Sequence, residues 1–231
     1  MRTVAVRFAL LLVLALGAAS APAQEAAPDV LLAAVARDVI VVLKQERNVH
    51  PGSQSKVAET VEARVLPLFD FAHMTRSAVA RSWRLASPEQ QGALTAEFTT
   101  LLVRTYSSVL SSYSNQVIDF KPLRAAAGVS EVTVKSEMKQ SGREPMAIDY
   151  DMQKTKAGWK VHDIKIAGVS LVTTYRADFA DEVRNGGVAG LLTSLADKNR
   201  SSEASAKPHA RLREISLRVY AFVHNALQHA R

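Results

Sequence analysis

The amino-acid sequence predicts an α+β fold in which several helices cover an antiparallel sheet of about four strands. Between residues 29 and 114, and again after residue 170, apolar side chains recur every three or four positions, as on one face of a helix. Between residues 117 and 162 apolar and polar residues alternate, which is typical of strands with one buried face. Polar turns at 141–144 and 155–158 separate these strands, so neighbours in sequence are expected to pair as a meander.

The first half of the chain is predicted to be helical. Asp29 begins the first apolar pattern, which Pro51 interrupts, and a second helix is expected over 55–66. Asp70 is the expected N-cap of a short third helix. The tetrad Ser-Pro-Glu-Gln at 87–90 combines an N-cap serine, a proline at the first helical position and a glutamine three residues after the serine. It predicts the start of the longest helix, which extends to about residue 114.

The last predicted strand changes its apolar parity part-way along. Trp159 and Val161 lie on one parity, whereas Ile164 and Ile166 lie on the other. A β-bulge near Asp163 accounts for this change, because one extra residue reverses the alternation. After this strand, helices are expected over 175–183 and 188–196, separated by two consecutive glycines.

The N-terminal residues 1–23 have the features of an export signal. Arg2 and Arg7 lead into a short apolar core over 8–16, and Ala21-Pro22-Ala23 fits the small-x-small cleavage rule. The apolar run is too short to cross ~30 Å of hydrocarbon comfortably. We therefore expect cleavage after Ala23. The sequence has no cysteine, which excludes disulfides, thiolate metal sites and a cysteine-linked lipid anchor.

Charge and composition divide the rest of the chain. A folded domain is predicted over 24–200, a polar linker over 201–209 and a short basic amphipathic helix over 210–231. The net charge is +7, and about +5 would remain without Arg2 and Arg7. A basic protein suits nucleic acid or anionic lipid headgroups. Export argues against nucleic acid.

The residues do not form a recognisable catalytic or metal site. The sequence contains no Gly-x-Ser-x-Gly nucleophile elbow, and its histidines are scattered without metal-ligand spacing. His162 and Asp163 are neighbours on a predicted strand, where they would point to opposite faces. Ser170 is interpreted as a turn or cap residue. We expect neither enzymatic activity nor a cofactor or metal ion.

The segment at 158–179, GWKVHDIKIAGVSLVTTYRADF, resembles the signature of the MlaC (toluene-tolerance) family of periplasmic phospholipid-binding proteins. A second block, over 69–113, is also similar to that family. The resemblance covers roughly residues 29–199 and does not include the C-terminal helix. The matching positions of the first block are Trp159, Val161, Asp163, Gly168, Val169, Ser170, Leu171, Tyr175, Arg176 and Phe179.

This resemblance implies a curved, NTF2-like sheet with additional helices that enclose an apolar lipid pocket. It implies a monomeric periplasmic carrier that shuttles phospholipid and maintains outer-membrane lipid asymmetry. The implied partners are an outer-membrane lipoprotein complex and an inner-membrane ABC transporter complex with an MCE-domain subunit. No nucleic acid partner is implied. The candidate lipid-binding residues are Phe98, Leu102, Tyr106, Met146, Ile148, Trp159, Val161, Val172 and Tyr175.

Two other functions fit the same sequence. A branch of the family is associated with hopanoids, and nothing in the residues separates the branches. A periplasmic adaptor that carries no lipid would use the same apolar stripes as ordinary core, with the basic C-terminal helix as its docking element. Asp163 and Arg176 have two interpretations each. They hydrogen-bond or ion-pair within the protein, or they orient a lipid headgroup.

Overall fold

The computed structural model describes residues 26–49, 59–111, 116–126 and 128–200. The predicted signal peptide, linker and C-terminal helix lie outside these residues. The described residues include four α-helices: α1 (Pro28–Val49), α2 (Phe71–Val79), α3 (Pro88–Ser111) and α4 (Leu171–Arg200). They also include five strands: β1 (Val117–Phe120), β2 (Glu131–Lys139), β3 (Met146–Thr155), β4 (Gly158–Ile166) and β5 (Val169–Ser170). A short π-helix (Val61–Val65) and a 3₁₀ helix (Leu66–Leu68) precede α2. A second 3₁₀ helix (Ala80–Leu85) connects α2 to α3.

The strands form one antiparallel sheet in the order β1-β2-β3-β4-β5. Each strand therefore pairs with its neighbour in sequence, which confirms the predicted α+β fold and its meander. The sheet has five strands instead of about four because β5, only two residues long, turns back onto the end of β4. Ala167 and Gly168 form this turn with φ of 49° and 79°. Two consecutive positive φ values belong to a type I′ turn, which explains the glycine.

The predicted β-bulge in β4 is confirmed. Asp151 of β3 pairs with Asp163, and the next residue of β3, Met152, pairs with Val161. His162 is therefore the extra residue. Because of it, Val161 and Ile164 lie on the same face of the sheet despite their different parity.

Local capping chemistry determines where α2 and α3 begin. Asp70 accepts a 2.8 Å hydrogen bond from the backbone N–H of His73, so it caps α2 as predicted. At α3, the Ser87 hydroxyl accepts from the N–H of Gln90, and the Gln90 side chain accepts from the N–H of Ser87, at 3.3 and 3.0 Å. This reciprocal pair is a capping box.

Helix α4 consists of two arms that fold back on each other at Gly187. Gly187 has φ 66° and ψ −168°, values that are not helical. Beyond it, the Ser194 hydroxyl donates to the Glu182 carboxylate at 2.8 Å, although a straight helix would separate these two residues by about 18 Å. The two predicted helices with a glycine break between them are confirmed, although the first arm begins at Leu171.

The two arms of α4 pack on α3 and form a helical core. Phe98 of α3 lies edge-on to Tyr175 and Phe179, with ring centroids 4.9 and 5.1 Å apart. Leu191 and Leu195 of the second arm are also fully buried in this cluster. None of the helices in the described ranges is long and apolar enough to span a lipid bilayer.

Gly187→Ala should destabilise the protein by about 1–2 kcal/mol, because an L side chain is strained at this backbone conformation. The matched control is Gly186→Ala. At neither glycine would an added Cβ lie within 4 Å of another atom, but of the two only Gly187 has a positive φ. The control should be neutral or slightly stabilising. Urea unfolding of both variants measures the difference, and equal stabilities would show that Gly187 is not required for the reversal.

Candidate functional site

The sheet has a charged face and an apolar face. On the charged face, Lys121 and Lys139 bridge Asp119 at 3.0 and 2.7 Å, and Lys165 bridges Asp151 at 2.7 Å. The opposite face is turned toward the protein interior, and we call it the inner face. By strand pairing, its residues are Ile118, Phe120, Val132, Val134, Ser136, Met138, Met146, Ile148, Tyr150, Met152, Trp159, Val161, Ile164 and Ile166.

One end of the inner face is packed against protein. Val134, Met152 and Val161 have no exposed surface, and they form a cluster with Leu32 of α1. Backbone contacts hold this end closed, since the N–H of Asp70 donates to the Val161 carbonyl at 2.8 Å. This end leaves no room for a ligand.

The other end of the inner face is only partly covered. Met146, Ile148, Ile164 and Ile166 each keep some accessible surface. Tyr150 also keeps accessible surface, although burial raises its pKa to about 12. The inner-face side chains at this end are therefore less completely packed than Val134, Met152 and Val161.

The helical layer offers a complementary surface at Tyr106 of α3. Tyr106 packs at the margin of the helical core. Its hydroxyl is buried and lies beside the phenol of Tyr175. Burial also raises the pKa values of Tyr106 and Tyr175, so both remain neutral phenols. We take the partly covered end of the inner face, together with this margin of the helices, as the candidate site.

The nine predicted lipid-binding residues are distributed among three environments. Phe98, Leu102, Val172 and Tyr175 are buried in the helical core, with Tyr106 at its margin. Trp159 and Val161 belong to the closed end of the sheet. Met146 and Ile148 lie on the partly covered end. Their role in binding stays a prediction, and only Tyr106, Met146 and Ile148 among them border the candidate site.

Several inner-face residues were missed by the sequence prediction. Phe120 stacks on Tyr150 with ring centroids 5.9 Å apart, and both side chains lie on the inner face of the sheet. The alternation in β1 and β3 is the signal that identifies them. Ile164 and Ile166 could also have been identified, since the predicted bulge places them on this face.

Asp163 organises the junction between β4 and α4. Its carboxylate accepts hydrogen bonds from the Ser170 hydroxyl and from the N–H groups of Ile164 and Val172, the latter two at 2.9 and 3.1 Å. Ser170 in turn accepts from the N–H of Thr173 at 3.0 Å, which confirms it as a cap. Of the two interpretations given above, Asp163 therefore follows the one in which it bonds within the protein.

Arg176 does not pair with Asp163. Its Nε donates to the backbone carbonyl of Ser77 at 3.2 Å. The bond ties the first arm of α4 to α2. Arg176 thus joins two helices of the scaffold.

The bulge residue His162 stacks on His73 of α2. The ring centroids are 4.5 Å apart and the ring planes differ by 9°. Burial lowers the pKa of His73, and the nearby His162 and Arg76 lower it further, while Asp70 and Gln153 oppose them. His73 thus takes up a proton less readily in the folded chain than in the unfolded chain.

We expect acid to weaken the fold through His73. Because the unfolded chain binds the proton more readily, the free energy of unfolding should decrease as the pH falls below about 6.5. His73→Phe keeps an aromatic ring but cannot titrate. Between pH 7.5 and 5.5 the wild type should lose more stability than this variant in urea unfolding. Carboxylates titrate in both proteins, so an equal loss would contradict a contribution from His73.

Other surfaces of the described chain do not resemble a chemical site. No group of three or more His, Asp or Glu side chains that could hold a metal ion occurs among the described residues. A depression of about 620 Å³ lies on the second arm of α4, lined by Gly190, Thr193, Ser194, Asp197 and Lys198. Its lining carries no large apolar side chain, so it does not suit an acyl chain.

Comparison with known proteins agrees with this architecture. The family model described as "MlaC protein" matches residues 33–197. The chain belongs to the MlaC family. Its fold is similar to the solved structure of a phospholipid-binding protein from Ralstonia solanacearum in complex with a phospholipid. That match has 38% sequence identity and a TM-score of 0.68, and it covers 75% of this chain and 97% of the other.

Two curated proteins are more distant relatives of this MlaC-family chain. The toluene tolerance protein ttg2D of Pseudomonas putida is 25% identical over 122 residues, which is 52% of this chain and 56% of the relative. The intermembrane phospholipid transport system binding protein MlaC of Haemophilus influenzae is 23% identical over 134 residues, 57% of this chain and 63% of the relative. The chain thus spans less than two thirds of either curated relative.

Proposed function

We propose that this protein is a periplasmic lipid carrier that holds phospholipid acyl chains between the inner face of the sheet and the α3–α4 layer. The observation that carries the proposal is its 38% identity, over 97% of the other chain, to a protein solved in complex with a phospholipid. The partly covered apolar wall around Ile148 supports it independently.

The energetics explain why a carrier is needed. Burying an acyl chain is worth about 0.8 kcal/mol per methylene, or roughly 24 kcal/mol for the ~30 methylenes of a diacyl lipid. A lipid that leaves the membrane for water loses this free energy. A carrier must therefore offer an apolar cavity that restores a similar amount. Tyr106, Met146 and Ile148 are the proposed contacts with the chains. Methionine suits such a wall because it adapts to different ligand shapes.

The wider setting belongs to the same proposal. Removal of residues 1–23 would release the chain into the periplasm, where it would shuttle lipid between an outer-membrane lipoprotein complex and an inner-membrane ABC transporter complex with an MCE-domain subunit. This transport would maintain outer-membrane lipid asymmetry. The name of the Haemophilus relative, an intermembrane phospholipid transport system binding protein, supports this role.

Solvent extraction of the purified full chain, followed by mass spectrometry, should release diacyl phospholipid. A polycyclic hopanoid as the only extracted lipid would favour the second branch of the family. If no lipid were extracted and the delipidated protein took up none from liposomes, the carrier function would be wrong, and an adaptor role would remain.

Ile148→Asp should reduce the extracted phospholipid at least tenfold, because an unpaired carboxylate on an apolar wall is costly beside acyl chains. The matched control is Ala147→Asp, one residue earlier in β3 on the charged face, where the side chain is exposed. The control should retain lipid. Leu102 is a poor test position, because it is only 5% exposed in the helical core and a charge there would unfold the protein.

Native far-UV spectra and unchanged thermal unfolding for both variants make the comparison valid. If Ile148→Asp retained as much lipid as Ala147→Asp, the acyl chains would not lie against this part of the sheet.

A further inference from the structure

A cleft lies between α1 and the edge strand β1, and we call it the α1–β1 groove. Its volume of about 320 Å³ is at the lower end of the range for small-molecule sites. It can therefore hold part of a lipid and not the whole molecule. The lining residues are Ala33, Ala36, Arg37, Ile40, Lys44, Gln116, Val117, Ile118 and Phe120.

The lining combines an apolar floor with two cationic side chains. Arg37 and Lys44 are exposed, and neither forms an ion pair within the described residues. They lie seven residues apart on α1, which places them about 10 Å apart along the helix axis. Two acidic side chains nearby are already paired, since Asp38 bridges Arg64 and Asp119 bridges both Lys121 and Lys139. The groove is thus positively charged at its rim.

The groove shares residues with the inner face of the sheet. Ile118 and Phe120 line the groove and also belong to the inner face. Phe120 stacks on Tyr150, which lies on the wall of the candidate site. An amphiphile with its apolar part on the inner face can therefore leave its polar end between α1 and β1.

We propose that the α1–β1 groove binds the glycerol-phosphate end of the lipid and that Arg37 and Lys44 bind its phosphate. This inference rests on the proposed function and assigns the headgroup end of the same site. Charge complementarity selects this occupant, because a cationic rim attracts a phosphate. The chain's own C-terminal segment is basic, with Arg211, Arg213 and Arg218, and the rim would repel it.

The test compares two lipids with the same acyl chains, one with a phosphoglycerol headgroup and one without it. The delipidated chain, without its predicted signal peptide, is titrated with fluorescent phosphatidylglycerol and with diacylglycerol that has the same acyl chains. The variant is Arg37→Glu/Lys44→Glu. The matched control is Arg81→Glu/Lys156→Glu, which reverses two exposed charges outside the groove.

Reversing the rim charges should weaken phosphatidylglycerol binding roughly tenfold, because two partly screened contacts with the phosphate are lost. Diacylglycerol binding should stay within about twofold of the wild-type affinity. The control should bind both lipids like the wild type. Arg37→Gln/Lys44→Gln, with charges removed and not reversed, should give an intermediate loss. Inorganic phosphate should displace the lipid no better than chloride of equal ionic strength, because the proposed ligand is a headgroup held by its acyl chains.

Different results overturn different claims. A wild-type protein that binds neither lipid contradicts the proposed function itself. If the wild type binds and the charge-reversed variant binds phosphatidylglycerol equally well, the headgroup assignment is wrong. An equal loss for both lipids also overturns it, because the effect would not involve the phosphate. Preferential displacement by inorganic phosphate would identify a free-anion site instead.

Discussion

The extra residue at His162 is the constraint on which the arrangement of the sheet depends. Side chains alternate between the two faces of a strand, so a single uninterrupted β4 would place either Val161 or Ile164 among the salt bridges of the charged face. The bulge brings both to the inner face. It also positions Asp163 to cap the start of α4. One inserted residue therefore couples an apolar wall to the helix that lies beside it.

Fully packed and partly covered side chains occupy different parts of the interior. The helical core is complete by itself, because both arms of α4 pack on α3 around Phe98, which is fully buried. The closed end of the sheet is equally dense around Val161. The partly covered residues around Ile148 belong to neither buried cluster. Under the proposed function, this division would let a lipid enter and leave without removing side chains that hold the fold together.

Much of the fold could be predicted because its signals are local. The Asp70 cap, the capping box at Ser87 and the glycine reversal in α4 each involve residues that are close in sequence. The candidate site could be predicted less well. Phe98 and Ile148 are both apolar and both show the expected periodicity, yet one fills a core and the other borders a space. Periodicity indicates which face is apolar, but it does not indicate what packs against that face.

The sequence by itself determined most of the helices and strands, the caps of α2 and α3, the bulge and the family. These features depend on backbone preferences and hydrogen bonds over a few residues. The tertiary structure alone decided which apolar residues are fully packed, and it brought Arg37 and Lys44 of α1 beside Ile118 of β1, more than seventy positions later in the chain. Such neighbours depend on the register of the sheet and on where α1 crosses it. Both are set by the packing of the whole domain, so no short segment contains that information.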